Sequence, residues 1–127
     1  MAEPTETFRS ALLPDRVGLF VRIAAHPGGR PGLLDALHRY ADSLATEPQT
    51  EVFVIALDPD DADVVWLYEW FRDEAGLEQH RASEPFAQMM AEMSELVAGP
   101  PGLLRIDPLR LHMQTAVLSD ALEAPEL

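Results

Sequence analysis

Apolar positions alternate along Val17–Ala25, with Val17, Leu19, Val21 and Ile23 on one parity and Gly18, Phe20, Arg22 and Ala24 on the other. A period of two predicts a first β-strand. His26-Pro27-Gly28-Gly29 breaks it, and Pro31 suits a first helical turn. Leu33, Leu37, Tyr40 and Leu44 then recur at helical spacing, which predicts an amphipathic helix over about 31–46. Two β-branched and aromatic runs, Thr50–Leu57 and Val64–Phe71, flank the turn formers Asp58-Pro59-Asp60-Asp61-Ala62-Asp63 and read as a hairpin. Asp73 can cap a helix running through His80, and Ser83-Glu84-Pro85 restarts it. Phe86, Met89, Met90, Met93, Leu96 and Val97 form its apolar stripe, ended by Gly99-Pro100-Pro101-Gly102. Leu103–Met113 is expected as a last strand, at a sheet edge because Pro108 lacks a ladder donor.

The order βαββαβ predicts an α+β, ferredoxin-like fold, an antiparallel sheet with two helices on one face. The expected organisation is a flexible N-terminal extension over 1–14, the domain over 15–114 and a flexible acidic tail over 115–127. The hairpin strands are apolar in both registers: Leu67, Glu69 and Phe71 share one face, and Trp66, Tyr68 and Trp70 the other. Two helices cover one face only, so the other predicts a homodimer.

Among 127 residues, 22 are acidic and nine basic, a formal charge of −13 that opposes nucleic acid and anionic membrane surfaces as partners. There is no cysteine, which removes disulfides, thiolate nucleophiles and the usual zinc and iron–sulfur ligand sets. Every basic residue is Arg, which removes Schiff-base chemistry and the P-loop lysine. No apolar run approaches the roughly 20 residues of a membrane span, and the expected location is the cytoplasm.

Glu69 is the one charge inside an apolar strand. It reads either as an ion pair with an Arg such as Arg22 or as a pocket acid that anchors His80. His80, beside the helix break, reads as a structural histidine or as an acid–base group. The aromatic stripe of Trp66, Tyr68 and Trp70 and the Met89, Met90, Met93 group read as core or as walls for a flat ligand. His26, His38 and His112 lack partners at metal-binding spacing, and the Asp58–Glu69 stretch fails the calcium-loop pattern at Ala62 and Asp63, so no metal is assigned. Dinucleotide, phosphate-loop and serine-hydrolase signatures are missing as well.

The stretch Leu67-Tyr68-Glu69-Trp70-Phe71-Arg72-Asp73-Glu74-Ala75, continuing to His80-Arg81-Ala82-Ser83-Glu84-Pro85-Phe86, resembles the antibiotic biosynthesis monooxygenase family, with the likeness running over about Val17 to Met113. The resemblance implies dimers whose sheets meet as an α+β barrel, with a pocket between helices and sheet. It implies a cofactor-independent monooxygenase acting with molecular oxygen on a small aromatic substrate of phenolic, quinol or anthrone type. His80 is then the base or hydrogen-bond donor and Glu69 its orienter, with Tyr68, Trp66, Trp70, Phe71, Phe86 and Met90 as substrate contacts. The haem-degrading branch has Trp in place of His80 and its iron-binding His in place of Met90, so no haem is expected. A dimeric binder of an aromatic metabolite and an isomerase are the alternatives on this fold.

Overall fold

The computed structural model describes residues 8–117, so residues 1–7 and 118–127 of the expected extensions lie outside the described residues. The chain divides into two units, Asp15–Asp107 and a smaller one formed from both ends. The larger unit holds a four-stranded antiparallel sheet in the order β3-β4-β2-β5, built from β2 (Val17–Ala24), β3 (Thr50–Leu57), β4 (Val64–Phe71) and β5 (Gly102–Ile106). Its helices are α1 (Arg30–Asp42), followed by a 3-10 turn at Leu44–Thr46, α2 (Glu74–Ala82) and α3 (Glu84–Met93). This is the expected ferredoxin-like α+β arrangement. The smaller unit pairs β1 (Phe8–Leu12) antiparallel with β6 (Arg110–Gln114).

Three expectations change. The strand expected over Leu103–Met113 is two, because pairing with β2 stops at Ile106 and Pro108, which has no N–H to donate, falls in the gap. Phe8–Leu12, within the stretch read as an extension, is a strand, with Leu13 N donating to Leu109 O at 2.9 Å beyond the ladder. The second helix ends at Met93, before Leu96 and Val97, and Val97 instead forms an isolated bridge with Ala25.

Parity places the core. Val17, Leu19, Val21 and Ile23 of β2 and Val65, Leu67 and Phe71 of β4 pack with Leu33, Leu37 and Tyr40 of α1, Leu77 of α2 and Met89 and Met93 of α3. The other parity carries Phe20, Val54, Trp66 and Leu104, all exposed.

Local chemistry sets the connections. Gly28 adopts φ 77°, open to glycine without a Cβ penalty, and its N–H donates to Asp63 Oδ1 at 2.9 Å, tying the β2–α1 turn to the hairpin. Asp58 accepts from the Asp60 and Asp61 N–H groups and from Trp66 Nε1, at 2.8, 3.0 and 2.8 Å, so this acidic turn is held by its own backbone and by the indole of β4. Asp73 caps α2 by accepting from Gly76 N at 2.7 Å, and Ser83 caps α3 by accepting from Phe86 N at 3.2 Å. The helix break read at Ser83 is therefore a cap with Pro85 in the first turn that follows.

Candidate active site

Glu69 sits mid-strand in β4, opposite Leu19 of β2 and Phe53 of β3, with its side chain on the helix-facing parity. Arg22 pairs in register with Trp66 and belongs to the other parity, so the ion-pair reading of Glu69 with Arg22 gives way. The partner above Glu69 is His80. Leu77 and His80, three residues apart on α2, both point inward, and His80 is 3% exposed. His80 Nε2 lies 3.5 Å from Glu69 Oε1. Its ring packs against Phe86 at 4.6 Å and Phe71 at 4.9 Å between centroids.

The other imidazole nitrogen faces groups that the sequence did not single out. Tyr40 Oη lies 2.5 Å from His80 Nδ1 and donates to Glu47 Oε1 at 3.4 Å, while Glu47 Oε1 lies 3.4 Å from Nδ1. Tyr40 arrives on the buried face of α1, and Glu47 follows the 3-10 turn. That corner is pinned to the start of α2, where Arg72 N donates to Gln49 O at 2.9 Å. A Cβ on Gly76 would stand 3.0 Å from Gln49 Cβ, so a side chain there would push helix and corner apart.

Glu69 and His80 form the polar end of a cavity of about 130 Å³, otherwise lined by Leu19, Val21, Ile23 and Leu67 of the sheet and Phe86, Met89, Met90 and Met93 of α3, with Arg81 and Leu103 beside them. Burial pushes the Glu69 carboxyl up to about 7, with Arg81 opposing and Glu47 adding to the rise. Burial pushes His80 down to about 4, and the Arg81 charge acts in the same direction. Burial, followed by the Glu47 and Glu69 charges, carries the Tyr40 hydroxyl well above its ordinary range. Near neutral pH the imidazole is uncharged, and the carboxyl is poised between its two forms. A second cleft of about 220 Å³ lies between α1 and α3, where Arg39 and Glu92 pair with each other at 2.5 Å and Glu84 also lines the wall.

Of the residues singled out in the sequence, Glu69, His80, Phe86 and Met90 meet around the 130 Å³ cavity, whereas Phe71 does not line it and is core, packed against the His80 ring. Trp66, Tyr68 and Trp70 do not line this cavity either: they lie on the opposite sheet face, contrary to the substrate-contact expectation for this pocket. Trp70 is buried there, donating from Nε1 to Glu51 Oε1 at 2.9 Å, and the Tyr68 ring packs at a tilt against Phe20, 4.8 Å between centroids. Among the described residues no group of three or more His, Asp or Glu side chains could hold a metal ion, and no helix is long and apolar enough to cross a membrane.

Residues 16–92 match the family of antibiotic biosynthesis monooxygenases. The chain belongs to this family. Among solved structures it is similar to a protein of Caulobacter crescentus CB15 with a provisional antibiotic biosynthesis monooxygenase name, at TM-score 0.71 and 18% identity over 76% of this chain and 92% of that one. A counterpart from Chloroflexus aurantiacus J-10-fl, provisionally named in the same way, gives TM-score 0.66 and 25% identity over 73% and 92% of the two chains. A Nitrosomonas europaea protein of unknown function covers 92% of this chain and 97% of its own, at TM-score 0.68 and 22% identity. No curated protein matches the chain. The family placement agrees with a small-molecule, monooxygenase-like role.

Proposed function

We propose that the chain is a cofactor-independent monooxygenase of a phenolic, quinol or anthrone-like small molecule, working as a homodimer. The observation that carries this reading is the pairing of a buried carboxyl with a neutral imidazole at the end of an otherwise apolar cavity. Removing a phenolic or benzylic proton converts such a substrate into an electron-rich anion, which can reduce molecular oxygen without flavin or metal. In an anthrone oxidation one oxygen atom enters the ring as a carbonyl and the other leaves as water, with the four electrons supplied by the substrate.

The opposed shifts of the two groups support a reading in which the roles expected from the sequence are exchanged. A base works best when its pKa lies near the working pH, and Glu69 meets that condition while His80 does not. In this reading Glu69 takes the substrate proton, His80 orients it and receives the proton onward, and Arg81 at the cavity holds the resulting anion. Leu19, Val21, Met89 and Met93 exclude water, which strengthens both interactions. The homodimer is supported by the exposed apolar parity of the sheet, where Phe20, Val54 and Leu104 are 40%, 45% and 61% exposed.

Oxygen uptake by the purified chain, with a panel of hydroquinones, naphthalene diols and anthrones, tests the reading. One labelled oxygen atom from ¹⁸O₂ is expected in the product, with rates unaffected by chelators and no flavin or haem absorbance. Binding of panel members without oxygen uptake would replace it with a non-catalytic aromatic-metabolite binder, and conversion without oxygen would replace it with an isomerase.

A further inference from the structure

His80 stands between two cavities. On its Nε2 side is the apolar cavity bounded by Glu69, and on its Nδ1 side is a second cavity of about 240 Å³, lined by Glu47, Gln49, Thr50, Gln79 and Ser83. At this second cavity Glu47 Oε2 and Thr50 Oγ1 are buried side-chain atoms without a hydrogen-bond partner among the described residues. Buried polar atoms of that kind are ordinarily satisfied by water, and the cavity is large enough to hold it. The groups facing the imidazole are thus Glu69 on β4, Tyr40 on α1 and Glu47 on the corner before β3, with Arg81 adjacent on its own helix.

We propose that Tyr40 and Glu47 extend Glu69 and His80 into a proton relay that joins the apolar cavity to the polar one beside Glu47. This rests on the monooxygenase reading for its purpose, but not for its existence. The geometry supplies two hydrogen-bond directions. In one, His80 Nδ1–H donates to Tyr40 Oη, Tyr40 donates to Glu47, and Nε2 is free to accept from Glu69. In the other, Nε2 carries the proton, and Tyr40 donates to Nδ1 across the same 2.5 Å. Passage from the first to the second moves one proton through the chain. The Glu69 O–H proton goes to Nε2, the Nδ1 proton goes to Tyr40, and the Tyr40 proton goes to Glu47, which gives it to water. One proton enters and one leaves, the imidazole changes tautomer, and neither His80 nor Tyr40 carries a lasting charge. The separations of 3.4 and 3.5 Å at the two ends are long for hydrogen bonds and can tighten when a substrate closes the site. Without such a path, a proton taken by Glu69 would have to return through the cavity that the substrate occupies.

The relay is tested on the full chain with ¹⁵N-labelled imidazoles, by measuring how fast the His80 N–H proton exchanges with water in wild type, Tyr40→Phe and Glu47→Gln. Both variants remove one transferable proton site at nearly constant shape. Each is expected to slow exchange by about tenfold or more, and the double variant to slow it no further, because the groups act in series. A purely packing role for Tyr40 would leave Glu47→Gln at the wild-type rate, and unchanged exchange in either folded variant overturns the relay. With a substrate that consumes oxygen, both variants should lower kcat and leave KM nearly unchanged. If exchange slows but no compound in the panel consumes oxygen, the relay stands and the oxygenase reading falls. If exchange does not slow, the relay falls whatever the panel gives.

Discussion

Glu69 Oε1 lies 3.5 Å from His80 Nε2 with both side chains buried, so one proton-accepting pair faces an apolar chamber instead of water. Desolvation acts on the two in opposite senses, raising the acid and lowering the imidazole, because in each case it disfavours the charged form. The consequence for catalysis is that Glu69→Gln, which preserves shape and removes the base, should lower turnover by about 10²–10⁴. Steady-state oxygen uptake measures this, with circular dichroism as the check on folding. Wild-type turnover in Glu69→Gln would return the role of base to His80.

His80 is also a packing residue, in contact with the Phe71, Phe86 and Tyr40 rings. His80→Ala should open a cavity among them and cost about 2–4 kcal/mol of stability, in the range for large-to-small core changes. Urea unfolding checks this, and a midpoint equal to wild type would show that the ring is not part of the core. His80→Gln, which keeps a polar group and more volume, should lose less.

The sequence made Glu69 and His80 legible for different physical reasons. A single carboxylate in an apolar strand needs a compensating environment, and a histidine just before a capped helix break has a defined place to point. Tyr40 stayed hidden because its spacing from Leu33 and Leu37 already explained it as core, which it is, and its hydroxyl gains meaning only when α1 packs over β4. Glu47 stayed hidden because it lies in a corner whose path is fixed by the Arg72–Gln49 hydrogen bond and the close approach at Gly76, neither of which leaves a periodic signal. Parity correctly separated Trp66, Tyr68 and Trp70 from Glu69, but their aromatic character drew them into the site. Strand Phe8–Leu12 is five residues long, too short for alternation to separate it from a polar terminus, whereas Arg110–Gln114 falls almost wholly within the strand expected over Leu103–Met113, and only its separation from Gly102–Ile106 was hidden.

The exposed sheet face carries its own prediction. Phe20 lies opposite Leu104 on one side and Tyr68 on the other, at the centre of the apolar parity. A homodimer should elute at twice 14.1 kDa, and Phe20→Asp should shift it toward the single-chain mass by burying a charge in the interface. Analytical ultracentrifugation of both proteins decides it. A folded wild-type monomer at micromolar concentration would require another covering for this face.

Opposed shifts at Glu69 and His80 predict how stability depends on pH. Glu69 titrates at about 7 in the folded chain against an ordinary 4.5, so between those values the folded state holds a proton that the unfolded state has lost. Its contribution is complete below pH 4.5 and is lost as pH rises through about 7. His80 titrates at about 4 against 6.5, so between those values the unfolded state holds the extra proton. Its contribution is complete above pH 6.5 and is lost as pH falls through about 4. In the overlap, from 4.5 to 6.5, the two slopes have opposite sign and cancel. Glu69→Gln removes the falling slope and leaves the rising one. Its stability relative to wild type should therefore climb with pH across that window, at a limiting slope of about 1.4 kcal/mol per pH unit for one proton. Glu47, which burial also raises, is present in both proteins and drops out of the difference. Urea unfolding of both proteins at several pH values across the window provides the measurement. Parallel curves would mean that Glu69 titrates alike in the folded and unfolded chains, and the buried acid would lose its claim to be poised near neutrality.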